Sequence, residues 1–127
     1  MLDWKLANRH ETRMMESLNL IFHKHPKLLE FLFEQDKAKL RDEPAVLLFE
    51  AGVFSTGEKI LIRIGIDLWN GAGHVHLWDV IERLDFRNYS NVLLGLQYLR
   101  QNEDEDEGIV WRQPKTAYFE RGSGSSS

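Results

Sequence analysis

The sequence predicts a mainly α, single-domain helical bundle with a short extended C-terminal tail. Apolar residues recur at helical spacing along most of residues 3–101. Helix-start chemistry stands ahead of three of these runs: Pro26, Pro44 and the Ser55/Glu58 pair. The 127 residues, 43% hydrophobic and with four Trp, suffice for one buried core. The expected division is a helical domain over residues 1–101, an acidic linker and extended tail over 102–121, and a flexible Gly/Ser tail over 122–127.

Trp4, Ala7, Met14, Leu18 and Ile21 fall on one stripe, with Lys5, Asn8, Arg9, Thr12 and Arg13 largely opposite, so the first helix is expected over about residues 3–22. His25-Pro26 interrupts it, because proline suits the first position of a new helix. Leu28, Leu29, Phe31, Leu32 and Phe33 form an apolar second helix that fades into the charged residues 35–43. Pro44 opens a short third element over 45–51, closed by Gly52.

Residues 58–70 carry two periods at once. Ile60, Ile62, Ile64, Ile66 and Leu68 alternate as in a strand, whereas Lys59, Arg63, Asp67 and Asn70 form a polar stripe at helical spacing. The S-x-x-E capping box before the run and Asn70-Gly71 after it decide for a helix. Beyond Gly71-Ala72-Gly73, Leu77, Trp78, Ile81 and Leu84 mark a helix ending near Asp85. Tyr89, Val92, Leu93, Leu96 and Leu99 mark another over 86–101. Residues 109–111 and 116–119 read as short extended pieces on either side of Pro114.

The same capping segment imitates a nucleotide site without completing one. Gly52 and Gly57 have P-loop spacing, but Glu58 stands where lysine would meet phosphate. Its S-x-G-E also matches the signature of ABC-type ATPases, which works only opposite a P-loop that the chain lacks. No nucleotide or other cofactor is expected.

The S-x-G-E-K-x-L-x-R core and closing D-L-W-N-G of residues 54–71 resemble a motif in small uncharacterised proteins of Gram-positive bacteria and their phages. The likeness covers 18 residues and carries no catalytic assignment. It implies a mobile-element setting, in which small acidic proteins act by binding something larger.

Net charge is −4, divided as +2 over residues 1–41 and −6 over 42–127. Five consecutive acids, Glu103, Asp104, Glu105, Asp106 and Glu107, read as a solvated linker or as a contact for a basic partner. With no cysteine, the chain offers no disulfide, thiolate site or cysteine nucleophile. No apolar run is long enough for a membrane span or a signal peptide, and a cytoplasmic setting is expected. His23/His25 and His74/His76, with His10 and Asp79, are candidate metal ligands, but no spacing fixes a third ligand and no metal site is expected. Ser17, Ser55 and Ser90 lack a nucleophile setting. Glu50 and Glu58 are the carboxylates available to flank a cleft. Arg63 and Asp67 are expected to pair, with Arg83 and Arg87 extending a charged face.

These features favour a small non-enzymatic protein-interaction module, a regulator or inhibitor of a host protein. Its partner is expected to be a protein, with homo-oligomerisation open. Of the aromatics Trp69, Trp78, Tyr89 and Trp111, the first two are expected in the core. Trp111 and Tyr118 with the acidic run are expected to meet the partner. The alternative is a winged helix-turn-helix DNA reader using Arg87, Asn88, Asn91, Gln97 and Arg100. Against it, residues 58–101 hold five basic and five acidic side chains, so the unit lacks the positive stripe that phosphates require.

Overall fold

The computed structural model describes residues 1–102, which form helices α1 (Arg9–Ile21), α2 (Pro26–Leu32), α3 (Pro44–Glu50), α4 (Thr56–Asn70), α5 (Leu77–Arg83) and α6 (Phe86–Gln101). A 3₁₀ turn, Ala51–Val53, closes α3. The helical-bundle expectation holds over these residues.

The core is built around α4. Its Ile60, Leu61, Ile62, Ile64, Gly65 and Ile66 are all buried. That explains the strand-like alternation: a helix covered nearly all round needs apolar residues on nearly every side. The polar stripe of Lys59, Arg63, Asp67 and Asn70 escapes full burial, as do the first turn and the partly buried Leu68 and Trp69. Both ends are fixed locally. The Ser55 hydroxyl accepts the Glu58 N–H at 3.3 Å, and the Ser55 N–H donates to the Glu58 carboxylate at 3.0 Å. Gly71 ends the helix at φ 78°, a left-handed conformation that glycine adopts without steric cost.

The first helix begins later than expected. Asn8 caps α1, accepting the Glu11 N–H at 2.8 Å while its own N–H donates to Glu11 at 3.0 Å. Residues 1–7 instead form an arm that seats Leu2 and Trp4 in the core. Asn19 exchanges hydrogen bonds with the Leu2 backbone, and the Trp4 indole donates to the Glu34 carbonyl at 3.0 Å. Trp4, Phe33 and Trp69 then meet edge to face, with centroids 5.5–5.7 Å apart. The expected core position of Trp69 is confirmed as half-buried in this cluster.

The second helix does not fade into residues 35–43 but stops at Leu32. The chain turns back, bridging Phe33 to Leu40, with the Glu34 N–H donating to Lys39 and the Arg41 N–H to Leu32. The Arg41 side chain donates to the Phe31 carbonyl at 2.7 Å and stacks 5.4 Å above its ring.

α6 lies along α1. Ser17, fully buried, donates to the Gly95 carbonyl at 2.8 Å. Gly95 has no Cβ, and Ile21 occupies the space one would fill. The Tyr98 hydroxyl donates to Glu16, and Arg13 reaches the Asn102 carbonyl at 3.2 Å.

Candidate functional site: an apolar face on α5 and α6

α5 has the apolar pattern of a core helix, yet the fold buries only part of it. Val80 and Leu84 turn inward, while Leu77 is 76% exposed, Trp78 69% and Ile81 51%. The expected core position of Trp78 is therefore corrected. Trp78 lies about 160° round the helix from Val80 at 100° per residue, and Val80 takes the inward side.

α6 carries exposed apolar residues of its own. Its contact with α1 uses Gly95, and Val92 closes the core. Phe86, Leu93 and Leu96 lie on another side of the helix, 81%, 46% and 40% exposed. Between the helices is an apolar groove of about 150 Å³. Ile64 and Leu68 of α4 form its floor with Val75, while Leu77, Val80, Val92 and Leu96 form its walls. Asp67 stands at its edge.

The groove is held open by the α4–α5 connection. Arg63 and Asp67 do not pair as expected; they converge on Gly73, Arg63 donating to its carbonyl at 3.3 Å and Asp67 accepting its N–H at 3.2 Å. Gly73 is buried against the α4 backbone, and the turn leaves through His74 at φ 55°. Val75 is thereby placed in the groove floor. Arg83 pairs with Asp79 at 3.2 Å across one turn of α5, and Arg87 is exposed on α6.

The structure separates the five side chains of the DNA-reading alternative. Arg87, Gln97 and Arg100 point outward at different angles round α6, and Asn91 is half-buried. Asn88 is 8% exposed, and both its backbone and side-chain N–H groups donate to Asp85, the α6 cap. No single face of the helix presents the set. Trp111, Tyr118 and the acids Glu103, Asp104, Glu105, Asp106 and Glu107 lie outside the described residues, as do the extended pieces around Pro114.

Other candidate groups have structural tasks. Glu58 holds the α4 cap, and hydrogen bonds from the Ser55 backbone N–H, then its hydroxyl, keep the carboxyl below the ordinary glutamate range. Glu50 lies 3.8 Å from Arg41. His25 precedes α2 and is half-buried, whereas His10, His23, His74 and His76 are exposed. Among the described residues no three His, Asp or Glu side chains converge as metal ligands, and no helix is long and apolar enough to cross a membrane. A polar concavity of about 440 Å³ lies between the start of α1 and the end of α6, lined by Asn8, Thr12, Arg13, Glu16, Tyr98 and Asn102 among others. Glu16 raises the pKa of Tyr98 there by accepting a hydrogen bond from its hydroxyl. No family model, curated protein or solved structure matches the chain.

Proposed function

We propose that this protein is a small non-enzymatic interaction module that binds another protein through the apolar face of α5 and α6. The carrying observation is the amount of apolar surface beside the groove. Leu77, Trp78, Ile81, Phe86, Leu93 and Leu96, on the two helices that wall the groove, are each 40–81% exposed, and large apolar side chains left in water beside an apolar groove are what a binding partner covers.

The likeness of residues 54–71 to small phage and bacterial proteins supports a regulator or inhibitor of a host protein, carried by a mobile element and acting in the cytoplasm. The winged-helix alternative has less support, because its reading residues are dispersed round α6 and its helices are electrically neutral.

Affinity capture from host lysate tests the reading through matched variants. A captured protein should be lost with Trp78→Ala and with Leu93→Glu, yet kept with Phe49→Ser, which alters an exposed residue on α3. Trp111→Ala and charge reversal of residues 103–107 measure the tail's share of the same capture. Retention by both face variants would refute the reading, as would a sequence-selective shift of duplex DNA at physiological salt.

A further inference from the structure

We propose that the chain's own acidic run, residues 103–107, docks on the basic corner that Arg9, His10 and Arg13 form at the start of α1. This contact is independent of the α5–α6 face.

The corner exists because α6 runs back along α1. Contacts step from Ser17 with Gly95, through Glu16 with Tyr98, to Arg13 with Asn102, so the end of α6 reaches the first turns of α1. Asn102 closes α6 by donating from its backbone and its side chain to the Tyr98 carbonyl, at 2.9 and 3.0 Å. Its own carbonyl accepts from the Arg13 guanidinium at 3.2 Å. Glu103 is bonded to that carbonyl, so the run begins at the corner. Two recesses meet there: the polar concavity of about 440 Å³ and a smaller one lined by Arg9, His10, Arg13 and Asn102.

Charge selects the occupant. Arg9 and Arg13 line both recesses, and the acids of this stretch have tasks within the fold: Glu11 holds the Asn8 cap, and Glu16 accepts the Tyr98 hydroxyl. The Arg13 Nε is buried with no acceptor among the described residues. A carboxylate suits that edge, because it meets a guanidinium through two parallel hydrogen bonds. The macrodipoles act in the same direction. Acids following the C-terminal end of α6 are disfavoured there, whereas the adjacent start of α1 favours them. Spacing also agrees: Arg9 and Arg13 lie about 6 Å apart along α1 at 1.5 Å per residue. Alternate acids of an extended chain recur at about 6.6 Å on one side. The covalent tether supplies a roughly millimolar effective concentration, which a separate acidic protein would not match. A basic partner seeking residues 103–107 would then have to displace them from Arg9 and Arg13.

Nitrogen-15 NMR of the full chain tests the contact through the side-chain Nε–H resonances of Arg9 and Arg13, with Arg87 at the opposite end of α6 as reference. Neutralising the run by Glu103→Gln, Asp104→Asn, Glu105→Gln, Asp106→Asn and Glu107→Gln should move both resonances and leave Arg87 in place. Amides in the last turn of α6 should then exchange about two- to thirtyfold faster, the range for losing two exposed ion pairs. The wild type in about 1 M salt, where screening acts within roughly 3 Å, should behave like the neutralised chain. Arg9→Gln should speed that exchange in the wild type and add nothing in the neutralised chain. The proposal is overturned if the Arg9 and Arg13 resonances ignore neutralisation, or if Arg9→Gln acts equally in both backgrounds. It is equally overturned if the response appears only as concentration rises from about 10 to 500 µM, because a tethered contact is independent of concentration and another copy's run is not.

Discussion

Ser55 and Glu58 show how much one reciprocal pair of hydrogen bonds settles. Removing the hydroxyl in Ser55→Ala leaves the Glu58 N–H without its cap, and should lower unfolding stability by about 0.5–2 kcal/mol in denaturant titration. The pair also has a pH signature. Hydrogen bonds from Ser55 depress the folded-state pKa of Glu58. Its contribution is therefore complete above the unfolded glutamate value of about 4.3 and is lost as pH falls through the lower folded value. Glu58→Gln should be less stable than the wild type at neutral pH, and the gap in melting temperature should narrow on acidification through that window. A gap constant from pH 6 down to pH 2 would show that the carboxylate does not hold the cap. This pair was legible in the sequence because it joins neighbours three residues apart. The equivalent Asn8/Glu11 pair is present too, but Trp4 and Ala7 continue the apolar stripe of the first helix and mask the cap. Trp4 is buried for a tertiary reason, its contacts with Phe33 and Trp69, and no local spacing encodes that.

Between elements, the approach of α1 to α6 depends on Gly95. A Cβ there would collide with Ile21 and stand 3.0 Å from the Ser17 carbonyl oxygen. Gly95→Ala should force the helices apart and cost about 1–3 kcal/mol or more, as overpacking does. Gly57, in the first turn of α4, has nothing within 4 Å of the corresponding position, so Gly57→Ala should be neutral or stabilising by up to about 1 kcal/mol. Thermal melts of the two variants should move in different directions; equal losses would mean that Gly95 is not a contact glycine. Helix identity was readable at this scale, since the polar stripe of Lys59, Arg63, Asp67 and Asn70 and the caps outweighed the isoleucine alternation. The groove was not. Leu77, Trp78 and Ile81 have the same spacing whether a neighbour covers them or not. Which side of α5 is buried follows from how Arg63 and Asp67 anchor Gly73 and so set the approach of the helix. The turn after Leu32 is hidden for a similar reason: its backbone groups are satisfied by Lys39 and Leu32 across the turn, and charge-rich sequence alone does not show that pairing.

For the whole molecule, the −4 charge and the neutral stretch 77–101 divide its surface into parts with different chemistry. The acidic run that dominates the charge was the first expected contact, and it lies outside the described residues. The apolar face was hidden in the sequence as apparent core. α5 is a seven-residue helix with three large apolar side chains in solvent, so its amides should open readily when the face is uncovered. Amide hydrogen exchange of the full chain, in dilute and concentrated solution, tests the binding face most directly. Covering the face should slow exchange in residues 75–96, with Pro44–Glu50 unchanged and the same gain absent from Leu93→Glu. Exchange in residues 75–96 that is independent of concentration and of any captured protein, or protection that rises on α3 instead, would contradict the assignment of α5 and α6 as the binding surface.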